Sequence, residues 1–141
     1  MSNPFYIYQN IYVIGSSVIS HPYDCCIYLI DVGELVVIDS GAGESFNKLM
    51  DNILTLGLFP EKISAVIATH CHIDHVGSLA RFQQKYGAKI IAHQLDAEAI
   101  ETGRGIGAEL YGVDYEPCHV DIRIEGEEQK LVFGGRRRRK S

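Results

Sequence analysis

Three imidazoles and a carboxylate fall within six residues of this chain, at His70, His72, Asp74 and His75, inside Thr69-His-Cys-His-Ile-Asp-His-Val-Gly77. Neutral imidazole nitrogens beside a carboxylate suit zinc, manganese or iron better than calcium or magnesium, which prefer oxygen alone. In extended backbone, residues two apart point to one side, so His70 and His72 can close on one ion. Asp74 and His75 follow where the chain turns and can present to a second ion. The plain alternative is a polar loop whose histidines cap a helix.

The elements that must position these groups are legible around them. Ile63-Ser-Ala-Val-Ile-Ala68 is a short apolar run with β-branched residues and reads as a buried strand. The ligand types therefore sit where a strand gives way to a loop, a usual place for chemistry on a rigid scaffold. Phe5–Tyr8 and Ile11–Ile14 read as strands, and Cys25–Ile30 with Leu35–Ile38 as a hairpin turning at Asp31-Val-Gly33-Glu34. Phe46, Leu49, Met50, Ile53, Leu54 and Leu56 recur at helical spacing until Gly57. Val76, Leu79, Phe82 and Tyr86 predict a second amphipathic helix ending at Gly87, then a strand over Lys89–Ala92 and a short helix over Leu95–Ile100. Residues 102–117, with four glycines and one proline, read as a mobile loop, and two strands end the sequence. Strands followed by alternating helices and strands fit an α/β sandwich layer.

At these residues the chain resembles the metallo-β-lactamase superfamily, whose pattern is His-X-His-X-Asp-His after a buried strand. The likeness extends to Val36-Val-Ile-Asp39-Ser-Gly41, which is similar to the family strand that ends in an acidic residue and a glycine turn. The resemblance implies an αββα sandwich. It makes His70, His72, Asp74 and His75 metal ligands, places Asp39 behind them, and gives Asp74 the catalytic task of orienting a nucleophile and assisting proton transfer. The implied cofactor is zinc, one or two ions, with iron or manganese also compatible. The implied reaction is hydrolysis of a small-molecule ester, thioester, lactone, amide or phosphoester.

In the family a later histidine completes the first metal site, and a late histidine and a bridging aspartate complete the second. Only His93 and His119 follow His75 here, and 120–135 is similar to the paired strands that precede the third family histidine. The expectation is thus the first half of the sandwich, residues 1–135, with part of the site and weak or no activity alone. His93, after the strand Lys89–Ala92, is expected behind the ligands or on the pocket wall, with a surface histidine as the plain alternative. His119 lies in Pro117-Cys-His-Val, similar to the context of a late ligand, but the residues after it do not continue that motif. Two other readings stand beside the hydrolase: a non-catalytic metal-binding remnant, and a homodimerising module.

Composition bounds the partners. The length of 141 residues and 46% hydrophobic content suffice for one cored domain. All 18 acidic residues precede Leu131, against 8 Lys and Arg there, so the body is acidic and nucleic acid is an unlikely partner. The basic run 136–141 is expected to lack regular structure, as five adjacent like charges repel. It reads as a frameshift or cloning remnant, with a solvated tail and a basic binding patch as alternatives. Cys25, Cys26, Cys71 and Cys118 form no Cys-X-X-Cys pair, and adjacent Cys25 and Cys26 point apart, which suits reduced thiols and a cytoplasmic setting. No signal peptide is read at the start, and no apolar run is long enough to span a bilayer.

Overall fold

The computed structural model describes residues 2–126, 131–133 and 136–138. Its centre is a seven-stranded sheet in the order β1-β2-β3-β4-β5-β6-β7. The strands are β1 (Phe5–Tyr8), β2 (Ile11–Gly15), β3 (Ile27–Asp31), β4 (Leu35–Ile38), β5 (Ile63–Ala68), β6 (Lys89–His93) and β7 (Ile122–Ile124). The first four pair antiparallel, and β4 to β7 pair parallel. Parallel neighbours need crossovers, which the helices supply: α1 (Phe46–Thr55), α3 (Leu79–Tyr86) and α4 (Gln94–Thr102).

The helical periodicity becomes burial. Phe46, Leu49, Met50 and Ile53 of α1 are buried, and Leu79, Ala80 and Phe82 of α3 join them. The Phe46 and Phe82 rings meet edge-on at 5.0 Å, locking the two helices together over Leu35, Val37, Val66 and Ile90 of the sheet. Removing a ring this well packed typically destabilises by about 3–5 kcal/mol. Helix α3 stops where Gly87 adopts φ 65°, a left-handed cap that its missing Cβ permits.

The other sheet face carries Val36, Ala65 and Ile91, partly covered by Leu131 and Phe133 of β8 (Leu131–Phe133). With helices on one face and β8 on the other, β4 is buried on both sides, which explains its unbroken apolar run. The expected layering of helices on a mixed sheet is therefore present.

Three details differ from the sequence expectation. Asp74 and His75, expected in a turn, lie in one helical turn, α2 (Ile73–Val76), because Ile73 and Val76 three residues apart both enter the core. Within 102–117, expected as a loop, α5 (Ala108–Tyr111) is framed by Gly107 and Gly112 at positive φ. The basic run was expected to lack regular structure, yet Arg136–Arg138 forms β9, antiparallel to β8. A backbone ladder needs no side-chain burial, and charge repulsion across water is screened. Residues 139–141 lie outside the described residues.

Candidate metal centre

The site forms beyond the carboxyl ends of β4 and β5, where parallel strands of an open sheet leave room for loops. Asp39 ends β4 with φ 67°, a left-handed conformation that non-glycine residues rarely adopt. That twist turns its carboxylate, only 4% exposed, toward the loop after β5. Oδ1 accepts the Thr69 backbone N–H at 2.8 Å, and Oδ2 accepts the Thr69 hydroxyl at 2.6 Å. Oδ2 also lies 3.1 Å from Nδ1 of His75. One carboxylate thus grips both ends of the His70–His75 segment.

Asp74 stands between two of the imidazoles, with His70 alongside. Nδ1 of His72 and Nε2 of His75 stand 3.3 and 3.6 Å from the same oxygen of Asp74. The His70 ring centre is 6.1 Å from that of His72 and 5.4 Å from that of His75. His75 donates its Nδ1–H to Asp39, so in the neutral ring the Nε2 lone pair faces Asp74. Lone pairs of Asp74, His72 and His75 gathered this closely repel unless a proton or a cation sits among them. The donor set therefore fits a divalent ion of the zinc type. His70 differs: its Nδ1 accepts the His72 N–H at 3.0 Å, so its proton rests on Nε2. Ligation through Nε2 would require the proton to move to Nδ1, at the expense of that contact with His72.

Close backbone packing holds the surroundings. A Cβ on Gly77 would lie 2.1 Å from the carbonyl carbon of Ala42, so only glycine fits where α2 ends. Ser40 donates backbone N–H and hydroxyl to the His75 carbonyl at 2.8 and 2.9 Å, and Gly77 donates its N–H to Gly41 at 2.8 Å. Buried Asp24 fixes the turn at Ala42 by accepting its N–H at 2.9 Å and the Ser45 hydroxyl at 2.6 Å. On the outer side, a Cβ on Gly107 would lie 2.5 Å from Nε2 of His72, so the segment before α5 rests directly on that ring. Tyr111 approaches His72 edge-on at 6.4 Å.

His93 is occupied elsewhere. Its Nδ1 accepts the Leu95 N–H at 3.1 Å, capping α4, and its Nε2 lies 3.0 Å from the Gly126 carbonyl. A neutral ring with the proton on Nε2 satisfies both contacts, and neither involves the four clustered residues. His119, with a 72% exposed side chain, pairs with Glu101 of α4 at 3.0 Å. Cys71 turns from the cluster toward Asp96, and burial followed by that carboxylate raises its pKa.

Cys25 is the residue that sequence reasoning missed. Its sulfur, an Asp39 oxygen and a His75 nitrogen lie within 4.8 Å of one another. Burial first, then the charges of Asp39 and Asp74, push its thiol above the ordinary range, which keeps it protonated and a poor metal ligand. The β3–β4 register, with Tyr28 opposite Ile38, carries the segment before β3 alongside Asp39, and that pairing was the available signal. His75 is pushed upward by the Asp39 hydrogen bond, with burial opposing.

Residues 22–138 match the model of the metallo-beta-lactamase superfamily. The chain is 31% identical over 104 residues to the probable metallo-hydrolase YqgX of Bacillus subtilis, covering 71% of this chain and 46% of that protein. Its fold is similar to BJP-1, a subclass B3 metallo-beta-lactamase of Bradyrhizobium japonicum, with TM-score 0.82 and 26% identity over 95% of this chain and 49% of that one. It is also similar to LRA-12, a class B3 di-zinc metallo-beta-lactamase from an Alaskan soil metagenome, with TM-score 0.78 and 26% identity over the same shares, 95% and 49%. The chain spans about half the length of these relatives.

Proposed function

The chain belongs to the metallo-beta-lactamase superfamily, and on that premise we propose that it is the metal-binding portion of a hydrolase that takes zinc at His70, His72, Asp74 and His75. The observation that carries this reading is the approach of His72 Nδ1 and His75 Nε2 to one oxygen of Asp74, at 3.3 and 3.6 Å. Three donors, His70 and His72 with Asp74 or His75, would hold one ion and leave a position for water, so a single ion per chain is part of the proposal. Iron and manganese suit the same donors.

A bound divalent ion would supply Lewis-acid activation of water near neutral pH. The chain's own residues do the rest. His75, oriented through Nδ1 by Asp39, keeps its other nitrogen directed at Asp74. Asp74 orients the attacking water and accepts its proton, a transfer suited to a carboxylate flanked by imidazoles. Thr69 fixes Asp39 from the opposite side, so the His70–His75 segment does not drift between turnovers. The substrate class we propose is a small molecule bearing an ester, thioester, lactone, amide or phosphoester. A cytoplasmic setting belongs to the same reading, supported by four free thiols. Among the described residues no helix is long and apolar enough to cross a membrane.

Hydrolysis of representative esters, thioesters, lactones, amides and phosphoesters by the zinc-loaded chain, with and without chelator, tests the proposal. Weak turnover that disappears in His72→Ala supports it. Turnover unaffected by both chelator and His72→Ala would exclude it.

A second reading is favoured by the sheet face opposite the helices. Phe5 and Tyr28 lie on it at 50% and 36% exposure, and Ile11, Ile30, Ile38 and Ile67 are only partly buried. Apolar surface of this extent supports pairing with a second copy of the chain. A concentration-independent monomer mass in sedimentation would rule that out.

A further inference from the structure

Beside the metal cluster, aromatic rings continue outward without a break. Tyr111 meets His72 edge-on, Tyr23 stacks on Tyr111 at 4.8 Å and 18°, and His21 meets Tyr23 edge-on at 5.1 Å. These rings come from separate parts of the chain: Tyr111 ends α5, while His21 and Tyr23 lie between β2 and β3. The arrangement is held in place. His21 Nδ1 accepts the Tyr23 N–H at 3.1 Å, and its Nε2 faces Glu44 at 3.3 Å, so one tautomer satisfies both contacts. Gly107 packing against His72 fixes the start of the turn that carries Tyr111.

Tyr111 packs one side against the core, whereas Tyr23 stands outside it. Tyr23 is 41% exposed, and among the described residues neither the Tyr23 nor the Tyr111 hydroxyl has a hydrogen-bond partner. The charge around them is one-sided. Asp74 and Glu44 flank the two ends of the ring series, and no Lys or Arg makes a cation–π contact with Tyr23 or Tyr111 among the described residues. In the metal-free chain a phosphodiester would bring its negative charge to rings that no Lys or Arg covers among the described residues. A neutral flat ring, by contrast, gains from offset or edge-on contact with tyrosine.

We infer that Tyr23 and Tyr111 are specificity-determining residues that receive the flat aromatic acyl group of a neutral carboxylic ester or amide, placing its carbonyl beside His72 and Asp74. The inference rests on the hydrolase reading above and narrows its substrate to carboxylic-acid derivatives.

Binding of methyl 2-naphthoate, followed by NMR in the metal-free and zinc-loaded chain, tests it. Tyr23→Ala and Tyr111→Ala should each weaken binding about fivefold to tenfold, the loss of one aromatic pairing. Tyr23→Phe and Tyr111→Phe should keep it, and Tyr8→Ala, on an exposed edge strand, should change nothing. In the metal-free chain, bis(4-nitrophenyl) phosphate should bind at least about tenfold more weakly than the ester, because the acidic groups at both ends of the wall repel it. Circular-dichroism melting identifies a variant that fails to fold, and the phenylalanine pair with the phosphodiester comparison then decides. Undetectable ester binding by the parent chain, unchanged binding in folded alanine variants, loss of binding in folded phenylalanine variants, or equal affinity of the metal-free chain for the phosphodiester overturns the inference. Tyrosine-dependent ester binding by a chain that dialysis shows to hold no zinc keeps the wall and removes the metal proposal. Zinc retained with tyrosine-independent ester binding does the reverse.

Discussion

The Asp39 carboxylate stands 3.1 Å from Nδ1 of His75, from a left-handed backbone conformation at φ 67°. Carboxylate, imidazole and the free nitrogen beyond it form a line that fixes the ring's tautomer and raises its basicity. Asp39→Asn removes the charge and leaves a poorer acceptor for His75. The expected result is a His75 pKa that falls back toward 6.5, with zinc affinity reduced about 10- to 100-fold. Proton NMR titration and competition against a chromophoric chelator measure the two effects separately.

The same pair sets a pH dependence. His75 has a folded pKa above its ordinary 6.5, so its ion pair with Asp39 stabilises the metal-free chain fully below that value. The contribution is lost as pH rises through the folded pKa. Zinc binding at the proposed site would run the other way, because the ion would displace a proton from His75. Zinc affinity should therefore climb with pH across the window in which metal-free stability declines. Parallel slopes for the two quantities would show that His75 is not a ligand.

Zinc stoichiometry should reach one tightly held ion per chain and fall sharply in His72→Ala or His75→Ala. Elemental analysis after exhaustive dialysis is the measurement. Two retained ions would require donors beyond the four clustered here.

Glu101 provides an acid-sensitive clamp away from the site. It accepts the Val120 N–H at 2.8 Å, and that bond, with Arg123 and His119 nearby, holds its carboxyl below the usual range. The stabilisation is present above the ordinary value of 4.5 and disappears as pH falls through the lower folded pKa. Glu101→Gln should reduce stability by about 1 kcal/mol near neutrality. The difference from the parent chain should shrink in acid, as read by urea melts at several pH values.

Gly107→Ala should disturb the site from its outer side. The residue has φ 81°, and the new methyl would lie 2.5 Å from Nε2 of His72. The segment before α5 must move, at a cost of about 1–2 kcal/mol in stability. Thermal melts and His72 chemical shifts would both report it, and an unshifted His72 signal would contradict the packing described.

Much of this cluster was readable before the fold was known because its residues are local. His70, His72, Asp74 and His75 need only a strand end and one turn to meet, and Asp39 ends the neighbouring parallel strand. Tyr23 and Tyr111 were not readable, because their stacking depends on how two distant loops fold over the sheet. Cys25 escaped for a similar reason, since its place beside Asp39 comes from hairpin register rather than from a motif. His93 shows the opposite failure. A histidine at a strand end suggested a role near the ligands, whereas its local backbone claims it as a helix cap. The helical turn at Asp74 and His75 was hidden by its shortness: only Ile73 and Val76 record its period.

The contact between Gly77 and Ala42 implies something about how this chain opens. Two turns, one after β4 and one after α2, interlock with no side chain between them and exchange hydrogen bonds through Ser40, Gly41, His75 and Gly77. Neither can swell without the other. The amides of Ser40 and Gly77 should therefore trade deuterium at a common rate as one cooperative unit, although they lie far apart in sequence. Fluctuations that widen the approach to His72 should then begin at the glycine-rich outer turn around Gly107, not at the β4 end.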